Sequence, residues 1–126
     1  MGFQTLGTAS EYFVADASKV TPLPEHMTFD EGAMIEPLAV AVHACKRYGD
    51  VTGKKAVVLG AGPIGILVCQ TLKAFGAAKV MVTDVSDYRL KLALECGADY
   101  AINTKEMDFK QEFMKYFGAD KAEIGR

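Results

Sequence analysis

The hexapeptide Gly60-Ala61-Gly62-Pro63-Ile64-Gly65 constrains this chain more than any other feature, because it dictates both a backbone path and its surroundings. Residues 55–59 before it form a short β-branched run. In residues 63–75 after it, Ile64, Leu67, Val68, Thr71, Leu72 and Phe75 recur at the spacing of one helical face. The glycines therefore join a strand to a helix. Gly60 permits a tight turn, Gly62 lets a ligand approach backbone with no Cβ in the way, and Gly65 lets helix and strand pack closely. Pro63 is suited to the first helical turn, where its missing N–H has no intrahelical partner, and Gly76 closes the helix.

The alternation continues downstream. Residues 79–83 read as a second strand, and Ser86 is placed to cap a helix with Leu90, Ala93 and Leu94 on one side before Gly97. Residues 100–103 are a weaker third strand. Asp108 and Gln111 then open a last helix carrying Phe109, Phe113, Met114 and Phe117 up to Gly118. A βαβαβα succession at this spacing predicts an α/β fold with parallel strands in the order 3-2-1 and right-handed crossover helices on the sheet faces. The pattern is different before Gly53. Residues 11–15 read as a short extended stretch, and Pro22 and Pro24 mark a turn-rich segment. Thr28 and Glu31 have capping-box spacing, so a helix is expected to start there. Pro37 is expected to end or kink it near Glu36, with a second helix over 37–48.

Composition narrows the function classes. The 126 residues include 14 basic and 16 acidic side chains, a balance of -2 that offers no basic field to nucleic acid. The charge-free stretch 56–72 is interrupted by Gly60, Gly62, Pro63 and Gly65, so no membrane span is expected. The first seven residues lack the basic start and apolar run of a secretion signal. Cys45, Cys69 and Cys96 are too far apart for a metal pair or a disulfide framework, so they read as core thiols in a reducing cytoplasm. His26 reads as a surface residue and His43 as a partly buried helix residue, neither with a second metal ligand nearby.

Asp84 gives the glycine motif its meaning. It stands at the end of the second strand, about twenty residues beyond Gly65, where a dinucleotide-binding fold places the carboxylate that accepts from the adenosine ribose hydroxyls. The free N–H groups of the helix start would face the pyrophosphate. A 2'-phosphate beside Asp84 would meet like charge, which favours NAD over NADP. Arg89 could pair with a phosphate, lie along the adenine face, or remain a solvated helix residue. Two alternatives attach to the motif: a glycine turn without a ligand, and an S-adenosylmethionine site. The second suits the sequence less well, since the first strand has no acid before its glycines and that ligand has no pyrophosphate.

Three segments, Thr28-Phe-Asp-Glu-Gly-Ala-Met-Ile-Glu-Pro-Leu-Ala-Val-Ala-Val-His-Ala-Cys45, Lys55-Ala-Val-Val-Leu-Gly-Ala-Gly-Pro-Ile-Gly-Ile66 and Val82-Thr-Asp-Val-Ser-Asp-Tyr-Arg-Leu90, closely resemble zinc-dependent medium-chain dehydrogenases of the sorbitol, iditol or xylitol branch. The resemblance implies that residues 1–52 are the tail of a GroES-like catalytic lobe with connecting helices, and that 53–126 are the first half of an NAD-binding Rossmann domain. It implies NAD and zinc as cofactors and a polyol as substrate, oxidised to a ketone by hydride transfer in a homo-oligomeric enzyme. Gly60, Gly62, Pro63, Ile64, Gly65, Asp84 and Arg89 fall at cofactor-binding positions, and Glu36 corresponds to the carboxylate that completes the catalytic zinc shell. Without the resemblance, Glu36 before Pro37 reads as a cap or a dipole partner.

The same resemblance marks what is missing. Family members bring a zinc-binding cysteine and a His-Glu pair from an upstream lobe, and neither is found here. The chain is therefore expected to be an internal piece of a longer dehydrogenase, inactive alone, with its first strand an open edge. A stand-alone NAD(H)-binding or redox-sensing module is the alternative from another class. Threonine and sugar-phosphate dehydrogenases share the Glu-Pro motif and are alternatives within the family.

Overall fold

The computed structural model describes residues 7–118, so the first six residues of the stretch scanned for a secretion signal lie outside the described residues. The elements run α1 (Phe29–Tyr48), β1 (Lys55–Leu59), α2 (Pro63–Ala74), β2 (Lys79–Asp84), α3 (Asp87–Glu95), β3 (Tyr100–Asn103) and α4 (Phe109–Phe117), with a short 3-10 turn at Ala17–Lys19. Two compact units divide between Gly32 and Ala33.

In the first unit the expected extended stretch at 11–15 forms no strand. A strand needs a neighbour for its backbone groups, and among the described residues none is paired with this segment; Val14 is 99% exposed. The capping box forms as expected. The Thr28 hydroxyl accepts from the Glu31 N–H at 3.2 Å, and the Glu31 carboxylate accepts from the Thr28 N–H at 2.8 Å.

The expected break at Pro37 does not occur, and α1 continues through it to Tyr48. Proline costs a helix about 3 kcal/mol, chiefly through one lost bond and a clash with the preceding turn. Ala33, four residues earlier, is exposed, so its unpaired carbonyl can be hydrated. Beyond Pro37 the helix is anchored by the buried Ala41 and Cys45. His43 is exposed rather than partly buried, because the face holding Ala41 and Cys45 turns it outward.

The three strands are parallel in the order β1-β2-β3, with Val58 opposite Val82 and Thr83 opposite Ile102. Alternation along β2 divides the core. Val80 and Val82 join Val58, Cys69, Leu72, Ala93 and Cys45 on one face, while Met81 meets Ile102, Phe113 and Phe117 on the other. Hence α2 and α3 cover one face and α4 the opposite one. Leu94, expected with Leu90 and Ala93, is instead 48% exposed, and the buried stripe of α3 is narrower than the sequence suggested. Cys45 and Cys69 are core thiols, whereas Cys96 at the end of α3 is only half-buried.

At the N-terminal edge of the sheet, Asp99 accepts from the Val80 N–H, the Lys73 ammonium and the Lys79 ammonium at 2.8, 2.9 and 3.0 Å. Burial opposes its ionisation, but the Val80 N–H and the two lysines outweigh it and lower the carboxyl to about 2. The outer edge of β1 has no strand partner among the described residues, and Leu59 on it is 78% exposed. No helix among the described residues is long and apolar enough to cross a membrane.

Candidate dinucleotide site

The C-terminal end of β1 turns directly into α2. Gly60 takes φ +99°, a left-handed conformation that side chains rarely adopt, and its N–H donates to the Thr83 carbonyl at 2.8 Å. A Cβ on Gly65 would run into the Gly60 carbonyl oxygen, so α2 can leave the strand at this angle only with glycine there. Gly62 is the opposite case. Its φ of -71° suits any residue, and a Cβ on it would meet nothing within 4 Å. As the N-cap it carries no capping side chain, and the first helical bond runs from the Ile66 N–H to the Gly62 carbonyl at 3.0 Å. The amides of Gly62, Ile64 and Gly65 therefore have no acceptor within the helix and crowd its positive end. Ile64, 42% exposed, stands beside them, and Pro63 occupies the first helical turn as expected.

Asp84 closes the site from β2. One carboxylate oxygen accepts from the Ala61 N–H at 2.7 Å, and the other from the Val85 and Ser86 N–H groups at 2.8 and 3.0 Å. The Ala61 N–H above all holds this carboxyl below the usual aspartate range, with smaller contributions from Val85, Ser86 and the Arg89 charge. A carboxylate has about four acceptor positions, so three are already filled by backbone. Ser86 occupies the expected N-cap of α3 but makes no side-chain cap bond; its amide is taken up by Asp84 instead. Arg89 is exposed on α3.

Sequence reasoning missed Asn103. Buried at the end of β3, it donates to the Asp87 carboxylate at 2.7 Å and accepts from the Lys105 N–H at 3.0 Å, tying α3 to the turn after β3. Thr104 N–H donates to the Asp84 carbonyl at 3.0 Å in the same corner. An asparagine closing a strand before a turn was the available signal.

Glu36 is exposed on α1 and makes no hydrogen bond or ion pair among the described residues. Catalytic zinc takes three protein ligands, and no group of three His, Cys, Asp or Glu suited to a metal exists among the described residues. The residues present thus fit a dinucleotide but do not assemble a zinc site.

Residues 63–124 match the model of the zinc-binding dehydrogenase family. Over these residues the chain is similar to that family. Within it, the chain is similar to sorbitol dehydrogenase: over 96 residues it is 47% identical to the Bos taurus enzyme, covering 76% of this chain and 27% of the relative. Among solved structures, galactitol-1-phosphate dehydrogenase from Escherichia coli superposes with a TM-score of 0.76 at 35% identity, over 84% of this chain and 31% of the other. A short chain alcohol dehydrogenase from Escherichia coli CFT073, complexed with NADH, gives 0.76 at 32% identity, over 80% and 30%. The chain thus spans about a quarter of the length of the curated relatives it matches.

Proposed function

We propose that Gly60, Gly62, Pro63, Ile64, Gly65, Asp84 and Arg89 bind the adenosine diphosphate half of NAD in a polyol dehydrogenase of the sorbitol type. The observation that carries this reading is the open approach to Gly62, next to amides without helical acceptors and with a carboxylate held ionised at the end of the neighbouring strand. In the reaction, hydride passes from the carbinol carbon of a secondary alcohol to the nicotinamide. The hydroxyl proton is released, leaving the ketone and NADH. Glu36 is one donor toward zinc, completed by ligands outside the described residues. Residues 1–52 are the end of the catalytic lobe and 53–126 the first half of the cofactor domain, in a cytoplasmic homo-oligomer acting on a small polyol. Similarity to sorbitol dehydrogenase supports the substrate class.

Calorimetric titration of the 126-residue chain with ADP and NADH tests the cofactor site, with micromolar to submillimolar binding expected. A folded chain that binds neither at millimolar concentration overturns the reading. The chain alone is expected not to oxidise sorbitol with NAD and added zinc, and turnover would overturn the assignment of zinc ligands outside it.

A further inference from the structure

We infer that Asp84 is a positioning residue for the glycine loop as well as a ribose acceptor, holding the phosphate-binding amides in place before any ligand arrives. The inference rests on the dinucleotide reading above. It follows from where the carboxylate spends its acceptors. The Ala61 N–H, in the middle of the glycine turn, points at one Asp84 oxygen at 2.7 Å, while the other oxygen gathers Val85 and Ser86, the residues that lead into α3. Next to it, Gly60 N–H is bound to the Thr83 carbonyl at 2.8 Å. Two successive amides of the loop are thus fixed to two successive residues of β2. Ala61 itself is buried, so its N–H has no access to water as a substitute partner. With the loop fixed through Ala61, the next amides, Gly62 and Ile64, stand at the start of α2 without acceptors in the helix, as a pyrophosphate requires.

The substitution Asp84→Asn separates the two roles. An amide offers one oxygen and one N–H2 group, so whichever way the new side chain turns, donors face each other on one side of it. ADP and 2',3'-dideoxy-ADP then report different things, because only ADP has ribose hydroxyls. If Asp84 acts on ribose alone, Asp84→Asn weakens ADP and leaves dideoxy-ADP unchanged. If it also positions the loop, both weaken, by about tenfold or more for loss of a charge-assisted bond. Removing a negative charge near phosphates works in the opposite direction, so a weaker dideoxy-ADP complex cannot come from charge.

The experiment combines calorimetry of both nucleotides with amide hydrogen exchange on wild type and D84N, each as the full 126-residue chain. In wild type the Ala61 amide is expected to exchange at least about tenfold more slowly than those of Ile64 and Gly65, a measurement independent of whether the variant folds. In D84N the Ala61 amide is expected to speed up about tenfold while Val80 and Val82 in the strand core stay unchanged, which a general loss of stability would not produce. Unchanged dideoxy-ADP affinity in D84N, or an Ala61 amide as fast as Ile64 in wild type, overturns the positioning role and leaves the dinucleotide reading intact. A wild-type chain that binds neither nucleotide overturns both.

Discussion

Substituting Gly62 by alanine separates the fold from the ligand. Its backbone, at φ -71° and ψ -179°, is open to any residue, and the new methyl group would meet nothing within 4 Å. Replacing glycine where the conformation is compatible stabilises by about 0.4–1 kcal/mol through the unfolded chain. Alanine is a poorer N-cap than glycine by a similar amount, so the two offset and stability should stay within about 1 kcal/mol, or roughly 5 °C in Tm. Binding is another matter. A phosphate oxygen hydrogen-bonded to an amide sits about 2.9 Å from its nitrogen, whereas contact with a methyl carbon needs about 3.5 Å. Displacing two charge-assisted bonds costs about 3 kcal/mol or more, roughly a hundredfold or more in affinity. Thermal melting should therefore show little change while NADH fluorescence titration shows lost binding. An alanine variant that melts like wild type and still binds NADH as tightly would refute the claim that the ligand approaches bare backbone at Gly62.

The other glycine gives the reverse result. Gly65→Ala drives a methyl group into the Gly60 carbonyl, and a loss of about 3 kcal/mol or more, seen as a lower Tm, is expected with or without ligand. NADH should bind at least about tenfold more tightly than NADPH, since a 2'-phosphate about 4 Å from Asp84 costs about 4 kcal/mol per unit charge at an effective dielectric of about 20; paired titrations check this. Asp99 has its carboxyl lowered from 3.8 to about 2, so it contributes stability above about pH 4 that disappears as pH falls toward about 2, about 2 kcal/mol in all. Asp99→Asn should lose that amount at neutral pH and show a flatter Tm profile across the same acid range.

The strand and helix order was legible because each element announces itself locally: β-branched runs, helical periodicity and glycine stops fall where the structure has them. Failures came where a distant partner decides. Residues 11–15 have strand-forming side chains but, among the described residues, no neighbouring strand to pair with. Pro37 carries a helix-breaking signal, yet burial of Ala41 and Cys45 farther along holds α1 together through it. Within the site, spacing placed Asp84 beside the glycines and could not say which donors it would choose. The Ala61, Val85 and Ser86 amides are found only once β1, β2 and α3 are brought together. Ser86 shows the same limit in reverse, a good cap residue whose amide is captured by the aspartate two positions earlier. Glu36 was never legible from its residue type and spacing, and resemblance alone singled it out.

The packing of α4 ties the fold to the place of the site. Crossovers between parallel strands are right-handed, so the face a helix covers reports the direction in which the next strand is laid. Moving from β1 to β2 to β3 keeps α2 and α3 on one face. With Phe113 and Phe117 of α4 packed against Met81 and Ile102 on the other face, a right-handed connection from α4 to any further parallel strand would run back across β2, toward the outer edge of β1. Such a reversal would put β1 at the boundary between two directions of winding, where the loops at the carboxyl ends of the strands diverge and leave a crevice. The glycine loop follows β1 itself, with its open Gly62 approach at this boundary. Helices on both faces and a glycine loop at β1 are therefore consequences of one topological feature, and the exposed Leu59 lies on the edge of β1 that has no strand partner among the described residues.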